Sequence, residues 1–199
     1  PEDHVAAQDP AVAGVVLLMG AARSLAAITR WQVETLLRLQ GASDEQMAAA
    51  LAQEDEYLAF VKGSQGEWGD YSYDELKSAM PWLTEQAATA LVATPLALSW
   101  LRESYVDDPS AWLRQISAPV LAINGEKDLQ IPAREADGIR AALKEGKNPE
   151  ATIHVFSDLN HFLRHHPEAP SLTYRHLDEP VDPRVLDAVA KWLKRHFVG

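Results

Sequence analysis

The most constraining feature of the sequence is a strand, helix and strand pattern in its carboxyl-terminal half. Residues 118–124, APVLAIN, and residues 151–156, ATIHVF, are short apolar runs typical of buried strands. Between them, AREADGIRAALKEG has the periodicity of an amphipathic helix and ends at Gly146, a residue type that favours the C′ position. Two strands joined by a helix through short links form a βαβ unit, so the pattern predicts a parallel sheet with a right-handed crossover.

Two further segments are predicted to belong to this sheet. Residues 12–18, VAGVVLL, form a continuous Val and Leu run, which predicts a strand buried on both faces. Residues 181–197, VDPRVLDAVAKWLKRHF, predict a helix with Asp182 as its N-cap and Pro183 at N1. Its predicted apolar face, suited to packing on the sheet, consists of Val185, Val189, Trp192 and Leu193.

Residues 22–100 contain no convincing strand pattern and are predicted to be all helical. Two capping boxes mark helix starts, because a serine and a Gln or Glu three residues later can satisfy each other's backbone groups. These boxes are Ser43 with Gln46 and Ser72 with Glu75. Gly41 and Gly63 end two of the predicted helices, and Pro81 interrupts a third helical region.

This organisation predicts an α/β core with an inserted helical lid. Helical insertions over the carboxyl ends of a parallel sheet commonly serve as lids. Residues 22–100 are therefore assigned to the lid, and residues 1–21 and 101–199 to the core. Within the lid, the Gly- and Ser-rich stretch 63–72 is predicted to be mobile.

Composition disfavours several classes of function. With 29 acidic and 18 basic side chains, the formal net charge is −11, which argues against a nucleic-acid binder and against a polybasic membrane anchor. The one dense basic stretch, residues 191–195, lies at the end of a predicted helix, where cations offset the helix dipole. There are no cysteines, which excludes disulfides, thiolate zinc sites and a cysteine nucleophile.

The sequence contains no signal for export or membrane insertion. No apolar run approaches the roughly 20 residues that span a bilayer, and the first residues contain no signal-like apolar region. Because a cysteine-free protein is stable on either side of a membrane, the compartment stays open, with the cytoplasm favoured. No metal or organic cofactor is implied.

Polar side chains follow both strands of the βαβ unit. Asp128, in NGEKDLQIP, comes after the first strand, and His161, in SDLNHF, comes after the second. Neighbouring parallel strands lie about 5 Å apart and end at the same edge of the sheet, so these side chains are predicted to meet. A carboxylate that hydrogen-bonds an imidazole fixes its tautomer and stabilises the imidazolium, as a catalytic base requires. The alternative is a turn-capping aspartate beside a surface histidine.

The same segments resemble a known family. PVLAINGEKDLQIP, FSDLNHFL and DPSAWLRQISAPVL are similar to the carboxyl-terminal part of α/β-hydrolase fold enzymes, particularly bacterial esterases and dienelactone-hydrolase-like members. The resemblance covers residues 100–199 well and extends more weakly to QDPAVAGVVLL. It implies a parallel α/β-hydrolase sheet with Asp128 as triad acid and His161 as base. The implied activity is hydrolysis of small carboxylic esters by a serine hydrolase, through an acyl-enzyme.

The sequence contains no G-x-S-x-G elbow, the turn that presents the serine nucleophile in this family. We expect such an elbow ahead of the first strand, so the chain is predicted to be a carboxyl-terminal fragment of a longer protein. The predicted partners are an amino-terminal segment or, at the uncovered edge of the sheet, a second copy of the chain. Ser64, in GSQG, follows a predicted helix instead of a strand, and Ser157 ends a strand without an elbow, so neither is a good nucleophile. A non-catalytic binding or interaction protein is the alternative function, and another nucleophile on the same fold is a third.

Three other groups allow a functional and a structural interpretation. His161, His165 and His166 are close enough in sequence to suggest a metal site, but no clear carboxylate stands at ligand spacing, which favours a solvated loop. Asp107 and Asp108 predict a turn and a helix cap in preference to a paired acid and base. In the predicted lid, apolar packing is favoured over an acyl pocket for Trp68, Trp82 and Trp100.

Overall fold

The computed structural model describes residues 2–171 and 177–198. It divides into two compact units. The first, which we call the sheet unit, comprises Pro1–Arg23 and Asp108–Gly199, and the second, the helical unit, comprises Ser24–Asp107. The packing of the predicted lid over the sheet stays a prediction.

The sheet unit contains a three-stranded parallel sheet. Its strands are β1 (Val15–Leu18), β2 (Val120–Gly125) and β3 (Ala151–Phe156), in the spatial order β1, β2, β3. β2 pairs with both neighbours in parallel, so that Leu18 lies beside Ile123 and Gly125 lies beside Phe156. The predicted α/β class with a parallel sheet is confirmed.

The described residues also form nine α-helices, which connect or follow the strands. They are α1 (Glu2–Gln8), α2 (Leu25–Leu39), α3 (Asp44–Gly63), α4 (Tyr73–Ala79), α5 (Glu85–Val92), α6 (Leu98–Val106), α7 (Pro109–Leu113), α8 (Glu135–Glu145) and α9 (Pro183–Phe197). Helices α2 to α6 belong to the helical unit, where the described residues form no strand. No helix in the described part of the chain has the length and apolar character needed to cross a membrane.

The central strand β2 is covered on both faces, as its apolar sequence predicts. Successive side chains of a strand point to opposite faces, so alternate residues of β2 enter different buried clusters. The cluster shared with α8 contains Val120, Ala122, Ile139 and Leu143. The cluster shared with α9 contains Leu121, Ile123, Val185 and Trp192. The two helices therefore sandwich the strand from which the Asp128 loop emerges.

Three details of the sheet unit differ from the sequence prediction. The first strand is shorter than residues 12–18 and is not buried on both faces, because β1 is an edge strand of the described sheet and Leu18 is 50% exposed. Leu193, predicted to lie on the apolar face of α9, is likewise exposed. The predicted N-cap of α9, Asp182, and the proline in its first turn, Pro183, are confirmed. Gly146 has helical φ, and the left-handed residue is Lys147.

Glycine is required at position 146 because there is no space for a side chain, and not because of its φ angle. A Cβ atom there would lie 2.0 Å from the carbonyl oxygen of Arg114, a backbone atom that cannot rotate away. The close approach of α8 to the end of α7 therefore depends on the missing side chain.

Local sequence signals in the helical unit are confirmed. Both predicted capping boxes are present at the starts of α3 and α4. Gly41 has φ of +74° after α2, the left-handed conformation that glycine adopts without a steric penalty. Asp108 caps α7 in the sheet unit, as predicted, since its side chain accepts from the Ser110 amide.

The tryptophans of the helical unit have different environments. Trp68 is buried, its indole Nε1 donates to the carbonyl of Leu96 at 3.1 Å, and its ring stacks on Tyr57. This is the apolar packing that the sequence favours. Trp82 lines a cleft, and Trp100 is 49% exposed.

Side-chain hydrogen bonds hold the Gly- and Ser-rich stretch 63–72. The Arg102 guanidinium donates to Ser64 Oγ at 2.9 Å, and Glu67 Oε2 accepts from the Leu98 amide at 2.6 Å at the start of α6. The mobility of this stretch stays a prediction. Gly66, with φ of +78°, has the left-handed conformation that a tight turn in this stretch requires.

Candidate active site

The loops that follow β2 and β3 continue to hydrogen-bond to each other beyond the sheet. The Glu126 amide donates to the carbonyl of Phe156 at 2.8 Å, and the Lys127 amide donates to the carbonyl of Leu159 at 3.0 Å. Both loops leave the same edge of the sheet, since the two strands are parallel. This backbone pairing brings the residues just beyond it, Asp128 and His161, to the same place.

The structure brings the Asp128 and His161 side chains into contact. His161 Nδ1 lies 2.8 Å from Asp128 Oδ2, within the predicted hydrogen-bonding range. The Asp128 side chain is fully buried, whereas 27% of the His161 side chain is exposed. The carboxylate is thus shielded behind the imidazole, and the imidazole is reachable from solvent. The predicted contact is present, and the catalytic roles of both residues remain a proposal.

Backbone amides hold the other oxygen of the Asp128 carboxylate. Asp128 Oδ1 accepts from the amides of Gln130 at 2.6 Å and Ile131 at 2.9 Å. One oxygen is therefore fixed by the turn that follows β2, and the other faces His161. Hydrogen bonds to a buried carboxylate compensate for its lost hydration, so the side chain can be both buried and oriented.

Asn160 shapes the turn that presents His161. Its side chain is buried, and Oδ1 accepts from the amides of Phe162 at 2.9 Å and Arg164 at 3.2 Å. Leu163 has φ of +56°, a conformation that costs energy for a residue with a Cβ. The turn therefore depends on the Asn160 hydrogen bonds and on the burial of Leu163.

An ionic network ties the same loop to the start of α9. Arg184 Nη2 lies 2.8 Å from Asp158 Oδ2 and 2.7 Å from Asp182 Oδ2. His165 Nδ1 lies 2.9 Å from the same oxygen of Asp158. The Arg184 guanidinium holds the pKa of both carboxyls below the usual range, so the network favours the folded state above that range and loses this effect as the pH falls.

The segment after β1 is fixed at this edge of the sheet too. Glu135, at the start of α8, is buried, and its Oε2 accepts from the amides of Ala22 at 3.1 Å and Arg23 at 3.2 Å. Its Oε1 accepts from Arg23 Nε at 2.7 Å. Asn124, which is fully buried, donates from Nδ2 to the carbonyl of Gly20 at 3.0 Å. Neither Glu135 nor this segment was predicted from the sequence to lie near Asp128 and His161.

The two candidate serines have structural surroundings. Ser64 is the C-cap of α3, where its hydroxyl donates to the carbonyl of Val61 at 2.8 Å and accepts from Arg102. Ser157 is exposed in the turn after β3. Among the hydrogen bonds of the described residues, none joins a serine hydroxyl to His161.

The other histidines of the loop are engaged within it. His165 pairs with Asp158, and His166 Nε2 lies 3.1 Å from the carbonyl of Ala169. In residues 2–171 and 177–198, no three His, Asp or Glu side chains are grouped as metal ligands. These contacts give His165 and His166 a role in loop structure.

We expect Gly125→Ala to disturb the contact between Asp128 and His161. A Cβ atom on Gly125 would lie 2.2 Å from the carbonyl oxygen of Leu159, part of the loop that carries His161, so the loop must shift. The free energy of unfolding should fall by about 1–3 kcal/mol, as is usual when a packed backbone must move. Urea denaturation measures this change, and the NMR signals of the His161 ring report the contact.

Gly69→Ala is the matched control for this substitution, because a Cβ atom at Gly69 would meet nothing within 4 Å. Its effect should be small. Equal effects of the two substitutions, or an unchanged His161 ring in Gly125→Ala, would contradict the expected role of Gly125.

Comparisons with known proteins give the following matches. Residues 83–197 match the model of the dienelactone hydrolase family. No curated protein sequence matches the chain. Three solved structures that it resembles are a monoacylglycerol lipase from Paleococcus ferrophilus, an α/β-hydrolase from Penicillium sp. sh18 and an esterase from Pyrococcus furiosus.

The likeness to these structures is distant. Sequence identities are 18%, 15% and 13%, and TM-scores are 0.47, 0.47 and 0.42, in the same order. The matches cover 98%, 99% and 98% of this chain, but 64%, 60% and 48% of the solved chains. The chain therefore spans less than two thirds of the length of each of these three proteins.

Proposed function

The chain belongs to the dienelactone hydrolase family, and on that premise we propose that it supplies the acid and the base of a serine hydrolase that cleaves carboxylic esters. The observation that carries this proposal is the 2.8 Å contact between His161 Nδ1 and Asp128 Oδ2. It joins a buried carboxylate to a partly exposed imidazole at the carboxyl edge of a parallel sheet. Reactive groups gather at this edge in open α/β sheets.

Asp128 orients the imidazole in this proposal. When Nδ1–H donates to the carboxylate, the lone pair resides on Nε2, on the opposite side of the ring. The carboxylate also stabilises the positive charge that the ring gains when Nε2 takes a proton. Because the Asp128 carboxylate is itself held by two backbone amides, it need not reorganise during the reaction.

His161 moves the proton in both halves of the reaction. Its Nε2 takes the proton of a serine hydroxyl while the serine oxygen attacks the ester carbonyl carbon. The imidazolium then returns this proton to the departing alcohol as the ester C–O bond breaks, which leaves an acyl-enzyme. Water, deprotonated by the same nitrogen, cleaves the acyl-enzyme to give the carboxylic acid and the free serine.

The serine and the oxyanion donors come from a polypeptide other than these 199 residues in this proposal. The sequence holds no G-x-S-x-G elbow. β1 is an edge strand of the described sheet, so its outer backbone edge can pair with a further strand. The half-exposed Leu18 side chain leaves space for another element on its face of the sheet. An amino-terminal segment that carries the elbow is the proposed source. The substrate is a small ester, and the chemistry uses no metal or organic cofactor.

The test supplies the missing nucleophile. The purified 199-residue chain should give negligible turnover of short p-nitrophenyl esters. The same chain, fused behind an amino-terminal segment of a dienelactone hydrolase family member that carries the elbow, should gain turnover. A segment whose elbow serine is replaced by alanine is the control.

The outcomes separate the candidate functions. Robust turnover by the chain alone, lost in His161→Ala, would show that a serine within it attacks. A folded fusion without turnover would contradict the proposal and favour the alternative, a non-catalytic binding or interaction protein. Circular dichroism of the fusion shows whether it has folded.

A further inference from the structure

The helical unit contains a cleft of about 530 Å³ between helices α2, α3 and α5. This volume is in the range of small-molecule binding sites. Most of its wall is apolar, and representative lining residues are Val33, Ala50, Tyr57, Trp82, Ala87 and Leu91. All of them lie within the helical unit, so the cleft belongs to that unit alone.

Small side chains keep the cleft open. Ala50 of α3 and Ala87 and Ala90 of α5 stand on its walls, at positions where a Leu would fill part of the volume. The neighbouring cluster around Leu76 and Trp68 is closely packed by contrast. The cleft is open to solvent, so its apolar wall is left in contact with water, and an apolar occupant would bury that surface favourably.

Two residues of the cleft wall carry polar atoms with no hydrogen-bond partner in the described part of the chain. They are Trp82, through Nε1, and Glu54, through Oε1, and both atoms are shielded from water. Buried polar atoms of folded proteins are nearly always paired. When these side chains turn toward the cleft, a ligand with a hydroxyl or carbonyl group can supply the partner that the chain does not.

Charge restricts the ligand further. Burial raises the pKa of the Glu54 carboxyl, and the nearby Asp55 adds to this while Arg30 opposes it. Burial thus disfavours the ionised form of Glu54, and the mostly apolar wall of the cleft disfavours a charged ligand. A cationic ligand would need an ionised Glu54 to pair with, which the same burial opposes.

We propose that the helical unit binds, in this cleft, an uncharged small molecule with a hydrocarbon body and one hydroxyl or carbonyl group. The site does not depend on the proposed ester hydrolysis, since every lining residue lies outside the sheet unit.

The test compares three probes that share one hydrocarbon chain. Purified 199-residue protein is saturated with the uncharged fluorophore N-phenyl-1-naphthylamine, which is then displaced by 1-octanol, octanoate or octylamine at neutral pH. Octanol should displace it saturably, and each charged probe should require a concentration about tenfold higher, a difference that corresponds to about 1.4 kcal/mol.

Matched variants locate the site. Ala50→Leu, which fills the cleft, should weaken octanol binding about tenfold, whereas Ala49→Leu, on the exposed side of the same helix, should not change it. Ala90→Leu provides a second filling variant at an exposed position, should Ala50→Leu fail to fold by circular dichroism.

Three results would overturn the proposal. One is the absence of saturable displacement by octanol from the unmodified chain. Another is equal octanol binding by the filling variants and Ala49→Leu. The third is tighter binding of octylamine or octanoate than of octanol, which would make the site one for a charged ligand.

Discussion

His161→Ala is expected to lower ester hydrolysis by about 10³-fold or more in the fusion that carries a nucleophile elbow. Removing the imidazole removes the group that accepts the serine proton and returns it to the leaving alcohol. The measurement is kcat for a short p-nitrophenyl ester. KM should change less, because the ring acts on the proton in the transition state more than on the bound ester.

Asp128→Asn should cause a loss of similar size without removing the imidazole. The asparagine is almost the same size, but its amide can turn an N–H toward Nδ1, where the carboxylate accepts a hydrogen bond. The ring then favours the tautomer with the proton on Nε2, which cannot accept a proton from serine. A loss of about 10³–10⁴-fold in kcat follows from this change of tautomer.

His165→Ala is the matched control for both substitutions. His165 lies in the same loop and is likewise hydrogen-bonded to an aspartate, Asp158, but its side chain is 51% exposed. It should cost less than tenfold in kcat, since it contacts the loop scaffold alone. If His165→Ala inactivated the fusion as fully as His161→Ala, the assignment of His161 as the base would be wrong.

The contact between Asp128 and His161 could be predicted from the sequence because it follows from topology. Two apolar runs separated by one amphipathic helix form parallel neighbours, and parallel neighbours end at one edge. The polar residues just past each run then have to be close. The same argument cannot give the 2.8 Å distance, which depends on the Asp128 turn and on the hydrogen bonds of Asn160.

Local signals were predictable where neighbouring residues determine them. The capping boxes at Ser43 and Ser72 and the left-handed Gly41 involve only residues close in sequence. The exposure of Leu18 and Leu193 could not be predicted in this way, because burial depends on which other elements cover a face of the sheet or helix. The periodic pattern of α9 contains both Trp192 and Leu193, but α9 buries only the first against β2.

Glu135 shows most clearly what the sequence could not indicate. In the pattern of α8 it is one of several charged residues, and its first-turn position predicts only a favourable interaction with the helix dipole. In the structure it is 2% exposed and contacts a segment more than a hundred residues earlier in the chain. Long-range pairing of this kind leaves no periodic signal in a single sequence.

Glu135→Ala is therefore expected to lower the free energy of unfolding by about 2–4 kcal/mol. The carboxylate accepts hydrogen bonds from two backbone amides, of Ala22 and Arg23, and forms a 2.6 Å ion pair with the Arg23 guanidinium. Alanine would leave these donors without an acceptor in a buried place. Breaking a buried pair costs about 3–5 kcal/mol, and the 38% exposure of Arg23 lets water recover part of this loss.

Glu145→Ala tests whether burial is the cause. Glu145 lies on the same helix and pairs with Arg114 at 2.7 Å, but its side chain is 61% exposed. Exposed pairs contribute about 0–1 kcal/mol, so urea denaturation should show a much smaller loss for this variant. Similar losses for both variants would mean that removing any carboxylate from helix α8 lowers the free energy of unfolding to the same extent, whether or not the carboxylate is buried. A larger loss for Glu135→Ala would assign the stability to the buried carboxylate that holds the segment after β1 at the edge where Asp128 and His161 meet.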